Sequence, residues 1–469
     1  MNISTRAKWR NQPRTQKSTP FAAIALAALL GGCNAEPKLA TVDQIPELMQ
    51  AFEVDGLAVA AVSGDEILLT EGFGTTASGE SYTASTSCGL FSATKVLASL
   101  TYANLYSDDR IDLTAPLSDH IADAPSAWAD IPFYRLLNHT SGIPMVVNKP
   151  DFGAMAANPD TTNEDIYLFL KDAPLDYQPG EYSRYRQSGY AVGEMILSKK
   201  LGKNFGDLVA QYITRPAGMP ATLHPSQTDE AQPELLMSAG GYETTANDMA
   251  RLFLGINDGS VIDGAYWKNL MTRADFTHDN YSLGNITETR NGVLTLGHRG
   301  GGARANLRYA PDEKVGVMVC TDDTQNNLLA ISLANMLIHE ITTGEVPLTP
   351  LLAALANHRQ MIGTEVIEAY KAAAQQADRY DLSESESLLN MIGYSFLARE
   401  QTEDAIQVFT LNTNLFPASA NTYDSLAEAT LAAGNPDEAL RLYGKVLELD
   451  PESANAKAMI ERIRARQSE

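Results

Sequence analysis

Two apolar hairpin patterns at opposite ends of one long stretch constrain this chain's fold more than anything else. Gly56-Leu57-Ala58-Val59-Ala60-Ala61-Val62 runs into the turn signal Ser63-Gly64-Asp65 and then Ile67-Leu68-Leu69-Thr70. Far downstream, Ala305-Asn306-Leu307-Arg308-Tyr309, a Pro311-Asp312 turn and Val315-Gly316-Val317-Met318-Val319-Cys320 repeat the pattern. Helical stretches lie between. Strands from the two ends of the domain are therefore predicted to share one antiparallel sheet flanked by helices, an α/β (α+β) architecture with a helical subdomain.

Composition supports a folded chain. Hydrophobic residues make up 44% and charged residues 20% of 469 positions, enough for a sizeable core. The net charge of -23 argues against nucleic acid and against loose electrostatic attachment to an anionic membrane, since both need clustered Lys and Arg.

The N-terminus reads as a targeting segment over 1-33. Arg6, Lys8, Arg10, Arg14 and Lys17 precede the apolar run from Phe21 to Leu30, which is too short to span a bilayer. Leu30-Gly31-Gly32-Cys33 resembles the lipobox of bacterial lipoproteins, which implies cleavage before Cys33, its lipidation, and a lipid-anchored protein of the cell envelope facing the periplasm. An ordinary signal peptide is the alternative, and export follows either way. Only Cys88 and Cys320 then remain; the sequence leaves open whether they pair or stand as two buried thiols. No Cys/His cluster or His-Glu-x-x-His suggests zinc, and no metal or cofactor is expected.

After a short tether, 34-41, the main domain is expected over 42-343 and a linker over 344-362, marked by Pro347 and Pro350. Over 363-469 an internal period appears. Ile392, Gly393, Ala405, Phe409 and Pro417 recur as Leu426, Ala427, Ala439, Tyr443 and Pro451, each 34 positions on. This resembles tetratricopeptide repeats, all-α pairs in which small residues let helices approach closely. Helices near residues 365–379 and 454–464 would cap the stack, which would bind a protein or peptide partner or serve only for packing.

The chemistry centres on Ser92-Ala93-Thr94-Lys95, which opens a helical run through Leu105. Residues three apart on a helix share a face, so a partly desolvated Lys95 amine can take the Ser92 proton. The motif alone is weak. From Ser92 to Asp322, however, the chain is similar to the serine β-lactamase and penicillin-binding-protein superfamily, closest to its class C-like branch. The resemblance is carried by Leu136-Leu137-Asn138-His139-Thr140-Ser141-Gly142-Ile143, by Pro179-Gly180 with Tyr185, Gly189 and Tyr190, by Gly240 through Ala250, and by Gly297-His298-Arg299-Gly300-Gly301-Gly302.

The resemblance implies that Ser92 is acylated, that Lys95 and Tyr185 share the base work, and that His298 stands at a cationic position. It also implies an oxyanion hole from the backbone N–H groups of Ser92 and Gly301, with Gln187, Arg299 and Gly300 at the substrate. The chain departs from the pattern twice. Tyr185-Arg186-Gln187 replaces Tyr-x-Asn, with a register on Tyr182-Ser183 as the competing reading, and His298 replaces a Lys, weakening recognition of an anionic β-lactam. Arg299 either restores positive charge at the site or faces the other side of its strand. His139 reads as part of a structural turn.

The expected activity is hydrolysis of esters, amides or D-amino-acid-containing peptides through an acyl-serine. The alternatives are a class C-like β-lactamase, or a non-catalytic sensor that uses its repeats to recruit a partner.

Overall fold

The computed structural model describes residues 39–228, 232–302, 304–322 and 328–468. The targeting segment and Cys33 lie outside the described residues, as does most of the tether.

The two apolar hairpins meet as expected. β1 (Gly56–Ser63) and β2 (Glu66–Gly74) form the first, and β8 (Ala305–Ala310) and β9 (Val315–Thr321) the second. β1 pairs antiparallel with β9 from Leu57 opposite Thr321 to Ser63 opposite Val315. With β5 (Tyr281–Ser282), β6 (Asn285–Arg290) and β7 (Val293–Gly300) they make a seven-stranded sheet in the order β2-β1-β9-β8-β7-β6-β5. All its pairings are antiparallel.

β1 and β9 are apolar on both faces because both faces are covered. Leu57, Val59, Ala61, Val317 and Val319 pack against helices Thr41–Ala51 and Leu329–Thr343. Ala58, Ala60, Val62 and Met318 face the larger cluster that contains the Lys95–Ser107 helix. Burying such aliphatic side chains contributes roughly 1.5–3 kcal/mol each. The buried Glu340 carboxylate accepts from Ala40 N at 2.6 Å and Thr41 N at 2.9 Å, satisfying the start of the first helix.

Cys88 and Cys320 form a disulfide, which settles the question that the sequence left open. It joins β9 to the two-residue strand β3 (Cys88–Gly89), four residues before Ser92, and β3 pairs with β4 (Glu243–Thr244).

The C-terminal region has its own core and is helical apart from the two-residue strand Tyr380–Asp381, which pairs with Thr349–Pro350. Helices Thr402–Leu415 and Pro436–Leu449 start and end 34 positions apart, as the internal period requires. A Cβ on Gly393, in helix Ser385–Ala398, would fall 2.4 Å from the Phe409 ring of helix Thr402–Leu415, so these two helices can approach only through a glycine. Helices Gly363–Ala374 and Ala454–Ser468 lie where flanking helices are expected. This region meets the main domain through exposed ion pairs, Arg379 with Glu47 and Arg290 with Glu384 at 3.4 Å. Such pairs contribute about 0–1 kcal/mol each. Among the described residues no helix is long and apolar enough to cross a membrane.

Candidate active site

Ser92 lies in a single 3-10 turn, Phe91–Thr94, that leads into the Lys95–Ser107 helix. Phe91 carries the chain round with a positive φ of 47°, a strained conformation for a side chain of that size. The turn is braced from three sides. Leu90 N bonds Tyr242 O at 2.8 Å and Tyr242 N reaches Thr94 Oγ1 at 3.3 Å, which is what the Gly240–Ala250 signature does here. The disulfide holds β3. The end of β7 presses on the turn from the third side, where a Cβ on Gly300 would sit 2.0 Å from Leu90 O and 2.9 Å from Ser92 N.

Lys95 is wholly buried, one turn on from Ser92. Its amine donates to Ala239 O and lies 4.9 Å from the centre of the Tyr185 ring and 5.0 Å from that of Tyr190. Burial lowers its pKa from 10.5 to about 7, a penalty on the ammonium of about 5 kcal/mol. The amine can therefore lose its proton near neutral pH.

The Tyr185 phenol and Ser92 line the same cleft. Burial raises the phenol above its ordinary value, partly offset by the nearby Ser92 hydroxyl, so at neutral pH it rests protonated. The competing register is not realised: Tyr182 is 48% exposed and packs on Tyr177 instead. His139 explains why Tyr185 points where it does. Arg184 N donates to His139 O at 3.0 Å and Arg186 N to His139 Nδ1 at 3.1 Å, so one buried residue brackets Tyr185 on both sides. The turn role expected for His139 thus has a concrete task. Burial, and then the nearby Lys95, keep its ring neutral.

His298 is placed at the site but not as a cation. Burial, then Lys95, lowers its pKa to about 3. Its Nδ1 lies 2.5 Å from Arg299 O and so carries the proton, while Nε2 accepts from the Tyr281 hydroxyl at 2.7 Å. The cationic role expected at this position is therefore corrected: the imidazole is neutral because both nitrogens are engaged away from water.

These residues frame a cleft of about 430 Å³, lined by Ser92, Tyr185, Tyr281, Ile286, His298 and Arg299 together with Gly301, Gly302, Leu328 and Ile331. Strand alternation turns the Arg299 side chain outward, half-exposed, with its guanidinium 3.8 Å from Glu288 at the rim. Gln187 stands at the N-cap position of helix Ser188–Leu201, half-buried, with its amide oxygen enclosed and unpartnered. The missing side chain of Gly300 makes room for the Ser92 turn.

Three neighbours escaped the sequence reading. Tyr281 has no motif of its own and is found only through His298. Arg304 donates to Gly301 O at 3.1 Å while its guanidinium lies 4.5 Å from the Phe91 ring centre, so it ties together the segments carrying the Ser92 and Gly301 N–H groups. Glu194, fully buried on helix Ser188–Leu201, accepts from Ser238 N at 2.6 Å, Met237 N at 3.2 Å and Asn163 Nδ2 at 2.9 Å, and also from the Ser238 hydroxyl. It thereby holds the segment whose next carbonyl, Ala239 O, receives Lys95. Burial raises its pKa to about 7.

Comparison with known proteins points the same way. A family model described as Beta-lactamase matches residues 42–337. The D-alanyl-D-alanine-carboxypeptidase/endopeptidase AmpH of Escherichia coli (strain K12) is 24% identical over 282 residues, covering 56% of this chain and 71% of that protein. Among solved structures, a D-amino acid amidase from Ochrobactrum anthropi SV3 aligns with a TM-score of 0.54 at 18% identity, over 65% of this chain and 100% of that one. An octameric penicillin-binding protein homologue from Pyrococcus abyssi aligns with a TM-score of 0.54 at 21% identity, over 64% and 76%. At these identities the structural matches speak for the fold alone.

Proposed function

The chain belongs to the beta-lactamase family of serine hydrolases, and from that premise we propose that it hydrolyses esters, amides or D-amino-acid-containing peptides through an acyl-enzyme on Ser92. The observation that carries this reading is a buried amine of pKa about 7, one turn from a serine that shares the wall of an open cleft with a phenol.

In the proposed sequence Ser92 Oγ attacks the carbonyl carbon and its proton passes to the neutral Lys95 amine. The developing oxyanion is received by the N–H groups of Ser92 and Gly301. Tyr185 gives its proton to the leaving group as the scissile bond breaks, and Lys95 reprotonates Tyr185. Water then attacks the acyl carbon, losing its proton to the same pair, and Ser92 leaves with its proton restored. A phenol held above its ordinary pKa suits this carrier role better than that of a standing base.

The Escherichia coli relative named a D-alanyl-D-alanine-carboxypeptidase/endopeptidase supports peptides with D-residues among the substrates. Export to the cell envelope, with Cys33 lipidated, is supported by the leader and by a disulfide that an oxidising compartment would preserve. The proposed division is a hydrolase domain over 42-343, a linker over 344-362 and tetratricopeptide-like helices over 363-469 that recruit a peptide or protein partner.

The test is labelling with a fluorophosphonate or penicillin probe, comparing wild type with Ser92→Ala. Label at Ser92 that disappears in the variant supports the acyl-serine; no label on intact wild type overturns it. Gln187 in place of the usual Asn, with its amide oxygen enclosed and unpartnered, favours a second reading, a binding protein without turnover. Ser92-dependent hydrolysis of p-nitrophenyl acetate would exclude it.

A further inference from the structure

A second cavity, of about 330 Å³, adjoins the Ser92 cleft, and Tyr185 is the one residue common to both walls. Its electrostatics run against the rest of the molecule. In a chain of net charge -23, this lining holds three cations, Lys149, Arg184 and Arg186, and one carboxylate, Asp176. Arg186 and Asp176 satisfy each other, with Arg186 also donating to Ile143 O at 3.2 Å. Lys149 and Arg184 have no ion pair among the described residues.

Arg184 is nevertheless held in place. Its guanidinium lies 5.7 Å from the Tyr177 ring centre and 5.6 Å from that of Tyr182, and its backbone N–H is bonded to His139 O. A guanidinium stacked on aromatic faces keeps its N–H edge for a planar anion and gives up little conformational freedom when one arrives. Lys149, half-buried on the same wall, adds a second positive charge in a concave site where screening by water is reduced.

We propose that this cavity receives a carboxylate of the substrate remote from the scissile bond, so that the enzyme prefers acidic peptides. This rests on the acyl-serine reading of Ser92. An anion seated here shares the Tyr185 wall with the reacting groups, which favours a part of the substrate over an independent ligand.

The test uses D-amino-acid-containing peptides in matched pairs, with a carboxylate or its amide placed on either side of the scissile bond. Binding to the Ser92→Ala protein is measured by calorimetry, and kcat/KM on the active enzyme. At one of the two positions the acid is expected to bind roughly tenfold tighter than the amide, the size of one charge-assisted hydrogen bond. That ratio should collapse towards one in the K149Q/R184Q double variant, with affinity for the amide unchanged. No preference in either arm, or equal loss for acid and amide, overturns the proposal. Inhibition by free acetate or inorganic phosphate that is lost in the double variant, without any acid-over-amide preference, would mark the site as one for an independent anion and overturn it too. Because binding is read on a protein unable to form an acyl-serine, a preference seen there without turnover in wild type would leave the cavity standing and remove the hydrolase reading instead.

Discussion

The Tyr281 hydroxyl lies 2.7 Å from Nε2 of His298, and that contact fixes which proton the imidazole carries. Replacing the hydroxyl leaves a buried ring nitrogen without a partner. Tyr281→Phe is expected to lower stability by about 1–3 kcal/mol, read by chemical denaturation, and to slow acylation by the fluorophosphonate. Unchanged stability together with an unchanged labelling rate would deny the contact any importance.

The amine of Lys95 must be neutral to accept a proton. Its pKa of about 7 predicts that Ser92 acylation rises about tenfold per pH unit below 7 and levels off above it. The sign follows from the base form being the active one. Lys95→Met, which fills the same buried space without a titratable amine, should abolish labelling while the protein stays folded. Rates flat from pH 5 to 9 would remove Lys95 from the role of base.

Glu194 acts on Lys95 at one remove, through the Met237–Ala239 segment. Glu194→Gln points an amide N–H at backbone and hydroxyl donors. It is expected to cost about 1–3 kcal/mol and to shift the pH midpoint of acylation as Ala239 O moves. A purely structural residue would change the melting temperature and leave that midpoint where it was.

The Cys88–Cys320 bond closes a loop with a sequence separation of 232 residues. Cys88→Ala/Cys320→Ala should lower stability by about 2–5 kcal/mol, and reductant should destabilise wild type but not the double variant. Equal melting curves with and without reductant would show that the bond does not support the fold.

Gly300 has no space for a methyl group. Gly300→Ala is expected to push β7 off the Ser92 turn and to reduce kcat by roughly a hundredfold, the loss typical of one oxyanion donor, with a smaller change in KM. A variant with near-normal kcat would show that Gly300 does not set that approach.

Local patterns carried much of this protein. The alternation and apolar runs of Gly56–Val62 and Val315–Cys320 determined the central strands, because a strand buried on both faces must be apolar along its length. The spacing of Ser92 and Lys95 determined that they lie one turn apart, and the 34-residue recurrence determined the C-terminal helix pairs. All these are short-range properties, written within a few turns of backbone. Tertiary structure alone decided the charge of His298, the outward turn of Arg299, the enclosure of the Gln187 amide oxygen and the pairing of Cys88 with Cys320. It also decided the parts played by Tyr281, Arg304 and Glu194. Each depends on how deeply a group is buried and on which atom, from a segment far away in the chain, arrives within hydrogen-bond reach; desolvation and long-range contact leave no mark on the spacing of residues along a sequence.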